Sequence, residues 1–331
     1  MSSRVISGGP FFDDLAVGLI IKEAPSLTLT EGLAATHTAI VGDRLRIALD
    51  HDLSHRVAGG VLAHPALVWD IANGQSTLLT RRVIANLFYR GFGFKRFPMI
   101  GDTLHTATEV VAMRQNRARA GRSSTGLAAL RVRTRDQNDR PVLDYWRCAM
   151  LPLRDPAGET THNDDLEKIP AELSSEALRA PIAGWRLDAF AQIAGAHFAD
   201  LEPETTWEIV GGDLVSSAPE LARLTLNLAM AHHDVASSPA GRLVYGGHTI
   251  GLAAAQVART LPNLVTIVAW QGCDHIGPVR EGDTLRSTLE LERKEPLAGG
   301  GGLVHLRSRV KADREGGAQD VLDWRFIGVM A

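Results

Sequence analysis

The chain has 331 residues, too many for one ordinary small domain, so two domains or a duplicated unit are expected. Hydrophobic residues make up 45% and charged residues 22%, the balance of a soluble globular protein, and a net charge of -3 offers no electrostatic footprint for nucleic acid. No apolar run approaches the roughly 18 residues of a membrane span. Cys148 and Cys273 lie far apart and outside any CxxC arrangement, which suits a reducing cytoplasm and argues against a zinc site. The opening MSSRVISGGPFFDDLAVG has no apolar leader, so no signal peptide is expected.

In chain order, HPALVWDIANGQSTLL (64–79) reads as an apolar helix. The runs RVIANLFYRGFGF, TLHTATEVVAMRQ and TGLAALRVRTRD follow, broken by Gly, Asp and Asn, and read as antiparallel strands and hairpins. A polar stretch with three prolines, from about 153 to 181, reads as a linker with one short helix. A second helix, GHTIGLAAAQVARTL (247–261), precedes NLVTIVAWQGCDH, TLRSTLELERKE and GLVHLRSRVKAD. The glycine run at 298–302 is a hairpin loop; no GK[ST] follows it, so it is not a phosphate loop.

The chain repeats itself. FPMIGDTLHTATEV (97–110) resembles GPVREGDTLRSTLEL (277–291), and VLDYWRCAM (142–150) resembles VLDWRFIGVM (321–330). Asp102 and Asp283 are 181 positions apart, and Asp144 and Asp323 are 179 apart. Two independent matches at nearly one spacing indicate duplication. One helix followed by a meander suggests a curved antiparallel sheet wrapped round that helix, once per repeat.

The stretch NLAMAHHD (227–234) sets an amide, two imidazoles and a carboxylate at the end of an apolar segment. Asn227 and His232 are five positions apart and would not share a face of a regular helix, so their convergence requires the backbone to leave helical geometry. Asp234 is placed to cap the next element or to orient a neighbour. His233 should point away from His232, toward the surface. The turn at Gly246 and Gly247 opens a helix, whose first N–H groups lack internal partners and attract negative charge. A histidine beside such a turn would join a proton-transfer group to an oxyanion site. Equally, it is compatible with a hydrogen-bonded interior histidine.

These segments resemble the MaoC-like hydratases and dehydratases, whose unit is the hotdog fold. The family motif runs D-x-N-P-x-H-x-D and is followed by an HG turn opening the central helix. Asn227 falls at its first Asp, Ala229 at its Asn, Met230 at its Pro, His232 at its His and Asp234 at its last Asp; Tyr245 and Gly246 fall at the HG turn. FFDDLAVG, ANLFYRGFGFKRFPMIGDTL, VLDYWRCAM and GRLVYGGHTIGLA carry a narrower resemblance, to the subgroup whose substrate is of the mesaconyl-CoA or β-methylmalyl-CoA type. The resemblance implies an α+β tandem double hotdog, with an N-terminal hotdog at 8–152, a linker at 153–181 and a C-terminal hotdog at 182–331. The two sheets are expected to join edge to edge, with both helices on one side.

In the first repeat the counterpart of NLAMAHHD is DRLRIALD, Asp43 to Asp50, with Ala48 at the histidine position and His64-Pro65 at the glycine turn. Proline has no N–H to offer an oxyanion, so this half should lack a complete site. The site is therefore expected in the second half, with His232, Asn227 and Gly246 catalytic. The implied reaction is reversible hydration of a short-chain, branched or dicarboxylic 2-enoyl-CoA in the cytoplasm. It needs no metal or organic cofactor, and no nucleic-acid or membrane partner; further homo-oligomerisation is expected. Asp234, Tyr245, Gly247 and His248 are candidates for lining the acyl pocket. Arg223 or Arg242 would meet a second carboxylate, and Arg90, Lys95 and Arg96 would meet the CoA phosphates or simply sit at a solvated strand end. Two rival readings remain: a thioesterase, for which Asp70 is the available helix acid, and a non-catalytic acyl-CoA-binding protein.

Overall fold

The computed structural model describes residues 7–117, 121–237 and 241–331. Residues 1–6, part of the segment read as carrying no leader, lie outside it. In the first repeat come β1 (Ile20–Ile21), β2 (Leu27–Thr28), α1 (Glu31–Val41), α2 (Arg46–Leu49), α3 (His51–Ala58) and α4 (Pro65–Gln75). Four long strands follow: β3 (Ala85–Phe94), β4 (Thr103–Gln115), β5 (Thr125–Arg135) and β6 (Pro141–Pro152). After α5 (Ser175–Arg179), the second repeat has β7 (Thr206–Glu208), β8 (Asp213–Leu214), α6 (Ala218–Leu224) and α7 (Gly246–Thr260). It closes with β9 (Leu264–His275), β10 (Thr284–Pro296), β11 (Gly302–Asp313) and β12 (Gln319–Met330).

The strands form one antiparallel sheet in the order β1-β4-β5-β6-β3-β9-β12-β11-β10-β7, with β2 and β8 on the outer strands β4 and β10. The repeats meet at β3 and β9, where Phe92 is registered with Trp270 and Gly93 with Ala269. That seam is short, and aromatic packing reinforces it. The Phe92 and Trp270 rings stack 3.9 Å apart, while Trp69, Tyr89 and Trp324 meet Trp270 edge-on. Such pairs contribute about 1 kcal/mol each beyond their buried area.

Each repeat wraps its own long helix. Every residue of α4 is buried, and so is α7 from Gly247 to Ala258, which explains why both segments read as apolar. The duplication extends to local chemistry. Gln75 of α4 donates to the Leu104 carbonyl of β4, and Gln256 of α7 donates to the Leu285 carbonyl of β10. In both GDT turns the Asp accepts the N–H three residues earlier, Asp102 from Met99 and Asp283 from Arg280, and the preceding glycines have φ of 99° and 94°. Asp144 is gripped through two oxygens by Arg131, as Asp323 is by Arg307. Matched hydrogen bonds of this kind are hard to attribute to chance similarity of strands.

The segment between the repeats does contain one short helix, α5, but it is more than a tether. Leu166 and Ile169 are buried on the outer face of the first-repeat sheet with Ala112, Leu127, Ala129 and Cys148, and Leu178 joins the main core. Apolar residues spaced through a polar stretch gave this little signal. Among the described residues no helix is long and apolar enough to cross a membrane.

Candidate functional site

NLAMAHHD leaves helical geometry as its spacing requires. Leu226 has φ of 61°, the Asn227 side chain closes a tight turn by accepting the Ala229 N–H at 3.0 Å, and a single 3-10 turn covers Met230–His232. The first repeat makes the same turn: Asp43 accepts the Leu45 N–H at 2.8 Å. Ala229 N–H needs an acceptor, so the Asn227 amide oxygen is fixed there and its NH2 group is left for the cavity that Asn227 lines.

His232 is oriented from behind. Its Nδ1 lies 3.0 Å from the Leu243 carbonyl, so Nδ1 carries the proton and Nε2 keeps a free lone pair. Leu243 is held in turn by its N–H to the Ala231 carbonyl, and Val244 by its N–H to Val279. Burial pushes the His232 imidazole down to about 4, with the nearby His233 ring adding to the effect and the Leu243 carbonyl opposing it. His233 is not directed away to solvent as expected. It is partly buried, and its Nε2 donates to the Asn227 carbonyl at 2.6 Å, bracing the turn.

Gly246 begins α7 after Tyr245, so its N–H has no acceptor within the helix. The residue must be small: a Cβ on Gly246 would lie 2.6 Å from His275 Nε2. His275, at the end of β9, is a second imidazole in the site that the sequence did not single out. Its Nε2 is buried and unpartnered among the described residues, and burial, then the proximity of His232, push it to about 4.

Asn227, His232, Tyr245, Gly246, Thr249 and His275 line one cavity of about 330 Å³. The opposite wall comes from the first repeat: Asn73, Thr77, Thr80, Asn86, Tyr89 and Arg147. The site therefore is not enclosed by the second repeat alone. The loop that carries Asn227 and His232 is tied across the seam by Leu228 N–H to Thr77 Oγ1 at 2.9 Å and Met230 N–H to the Arg81 carbonyl at 2.8 Å. No Asp or Glu is among the described residues that line the cavity.

Asp70, fully buried on α4, accepts from the Tyr245 hydroxyl at 3.1 Å and faces His37 Nε2 at 3.1 Å. Burial, then the Asp70 charge, keep the Tyr245 phenol well above its ordinary value, so it stays a donor. A Cβ on Gly247 would meet Asp70 Oδ1 at 2.1 Å. Asp70 thus sits behind the turn rather than in the cavity. In the first repeat, Asp43 Oδ2 lies 3.0 Å from His64 Nε2, both nearly inaccessible, and Pro65 starts the helix. Burial opposes ionisation of Asp43, but His64 and the neighbouring N–H groups outweigh it and hold the carboxyl below the usual range.

Several expected positions lie elsewhere. Asp234 is exposed and caps the following 3-10 turn through the Ala236 N–H. Gly247 packs on Asp70 beneath the site, and His248 is fully buried away from the cavity. Arg223 is exposed beside Glu220, and Arg242 is paired with Glu281. Arg90 ties β3 to the inter-repeat segment through the Leu166 carbonyl and Glu167. Arg96 joins Asp102 and Asp136 under the GDT turn, and Lys95 is exposed on the same hairpin end. None of these five basic groups and none of Asp234, Gly247 and His248 lines the cavity; Arg90 and Arg96 are held instead by the acids beside their strand end. The guanidinium that does line it is Arg147. The available signal was its place at an inward position of β6, in phase with the buried Leu143, Tyr145 and Ala149.

Two helices side by side against one continuous antiparallel sheet, with a cavity at the start of the second helix lined from both repeats, define a double-hotdog protein. A solved structure of Rv0216 from Mycobacterium tuberculosis, described as a double hotdog essential for survival during infection, is 50% identical and superposes over 99% of this chain and all of that one, with a TM-score of 0.93. Beta-methylmalyl-CoA dehydratase of Chloroflexus aurantiacus is 29% identical over 322 residues, 93% of this chain and 89% of its own length. Mesaconyl-CoA hydratase of Cereibacter sphaeroides is 27% identical over 311 residues, 91% of this chain and 89% of its own length. No family model matches the chain. The chain belongs to the MaoC-like double-hotdog proteins.

Proposed function

We propose that this protein catalyses the reversible addition of water to a short-chain 2-enoyl-CoA of the branched or dicarboxylic kind. The observation that carries the reading is the convergence, in one cavity, of an oriented neutral imidazole, an amide NH2 group and the first N–H of a buried helix. The names of the two curated relatives point the same way.

In this scheme the thioester carbonyl accepts from Gly246 N–H, where the helix terminus favours the developing enolate charge. One such donor is worth on the order of 3 kcal/mol. The Asn227 NH2 group donates to the attacking water, and that water donates to His232 Nε2. His232 takes the proton as oxygen adds to C3 and returns a proton to C2 as the enolate collapses. An amide cannot titrate, so all proton transfer falls on His232. A ring held near 4 by burial is neutral, and so ready as a base, at any pH near 7. The scheme routes no step through a cofactor.

The thioesterase reading needs a carboxylate aimed at the carbonyl, and the helix acid Asp70 is instead locked between His37 and Tyr245 behind the site. The test is the enoyl-thioester absorbance on mixing purified protein with mesaconyl-CoA and, separately, crotonyl-CoA. Loss of the band that disappears with His232→Ala supports hydration. Release of free thiol, or tight acyl-CoA binding without any turnover, would overturn it.

A further inference from the structure

Arg147 is a buried cation, 3% exposed, in the wall of the cavity. Its strand neighbours are Tyr89 on β3 and Leu130 on β5. Nη2 donates to Thr80 Oγ1 at 2.7 Å and more weakly to the Ser76 carbonyl at 3.4 Å, and Nε is buried with no partner among the described residues. No carboxylate among the described residues lies within 4.0 Å of its guanidinium, and the described cavity lining holds no acid at all. This sets it apart from Arg96, Arg131 and Arg307, each of which is paired with aspartate. Burying a charge without a counter-charge is costly, and an anionic ligand would offset that cost.

The anion has a limited set of identities. A cavity of about 330 Å³ is at the small end of ligand pockets and suits an acyl thioester rather than a nucleotide. With the thioester at Gly246 and His232 on the second-repeat wall, the group that reaches the first-repeat wall is the far end of the acyl chain. The CoA phosphates lie a whole pantetheine arm away on the other side of the thioester. A planar fork with free N–H groups matches a carboxylate. We infer that Arg147 binds a second, terminal carboxylate on the acyl chain and makes the cavity selective for dicarboxylic acyl-CoA thioesters. This rests on the placement of the thioester at Gly246 in the hydratase reading.

The test uses saturated acyl-CoAs, which cannot be hydrated, so that binding is read apart from turnover. Calorimetric titration compares succinyl-CoA with butyryl-CoA on the native protein, Arg147→Lys and Arg147→Gln. The expected result is a preference for succinyl-CoA on the order of 100-fold in the native protein, since a buried charge-assisted pair is worth a few kcal/mol. Arg147→Lys should keep part of that ratio, and Arg147→Gln should bring it close to one. Equal affinities on the native protein, or a preference that survives Arg147→Gln, overturn the inference. Should Arg147→Gln fail to fold, the native ratio and the lysine variant still decide. Hydration of crotonyl-CoA with no carboxylate preference would sink this inference and leave the hydratase reading intact. A carboxylate preference without any hydration would do the reverse.

Discussion

His248 should make the fold acid-sensitive by a predictable amount. It lies in the first turn of α7, fully buried, with both ring nitrogens unpartnered among the described residues. Burial, then the neighbouring His37, push its ring down from 6.5 to about 4, with Glu281 opposing. The folded value lies below the unfolded one, so the unfolded chain takes up the proton first. Stability is therefore complete above about 6.5, falls as the pH drops, and levels off below about 4. At about 1.4 kcal/mol per unit the whole transition is worth roughly 3 kcal/mol, of which about 2 falls between pH 7 and pH 5. That is a large share of the roughly 5–15 kcal/mol that hold a domain together. The assay is urea unfolding of the native protein and His248→Leu at pH 7 and pH 5. His232 and His275 add their own losses in both proteins, so the quantity read is the difference between the two drops. The native protein should lose about 2 kcal/mol more than the variant. Equal drops would show that His248 is not held neutral and that the reasoning from its burial is wrong.

Other outcomes follow from the site. His232→Ala should lower the hydration rate by about 100-fold or more while leaving circular dichroism unchanged; retention of native kcat would remove His232 from the chemistry. Asn227→Asp would place a carboxylate oxygen where the amide nitrogen now faces the cavity, stabilising the His232 imidazolium. The acid limb of kcat/KM should move upward from near 4 by about one to two units, and an unmoved limb would mean that the two side chains do not share a water. Gly247→Ala forces a Cβ into Asp70 and the Tyr245 ring, so it should cost about 1–3 kcal/mol of stability and displace Gly246. An alanine variant with native melting and native rate would contradict the close packing behind the turn.

Local chemistry made much of this legible. The GDT turns, the glycine-opened helix and the alternating strands are signals carried by a few adjacent residues, and the structure puts strands and helices on those segments. That Asn227 and His232 could meet only off a regular helix also follows from spacing, and a 3-10 turn is what the segment forms. What the sequence hid depends on which segments meet. Arg147, Asn73 and Thr77 reach the cavity only because the seam at β3 and β9 sets one repeat against the other. His275 ends a strand and becomes part of the site only through its closeness to Gly246. Conversely, Arg90, Lys95 and Arg96 drew notice because they cluster in sequence, yet the cluster is a strand end whose neighbours include the acids Asp102, Asp136 and Glu167. His248 sits in the right helical turn but on the side facing the core.

The two repeats are unequal in a way that explains their departures from one another. In the first, Asp43 is spent on His64, and Pro65 removes the N–H that Gly246 presents in the second. A site so closed is free to serve as a wall. Its helix α4 carries Asp70, which braces Tyr245, and Gly74, where any Cβ would strike the Thr225 carbonyl at 1.7 Å. That close approach brings α4 against the loop that carries Asn227. Two identical single-repeat subunits could not divide the work this way, because each residue would have to serve both as wall and as site. Fusion into one chain lifts that restriction: Asp70 and Arg147 of the first repeat can be committed to the second-repeat turn and its cavity, with no matching demand on their counterparts in the second repeat.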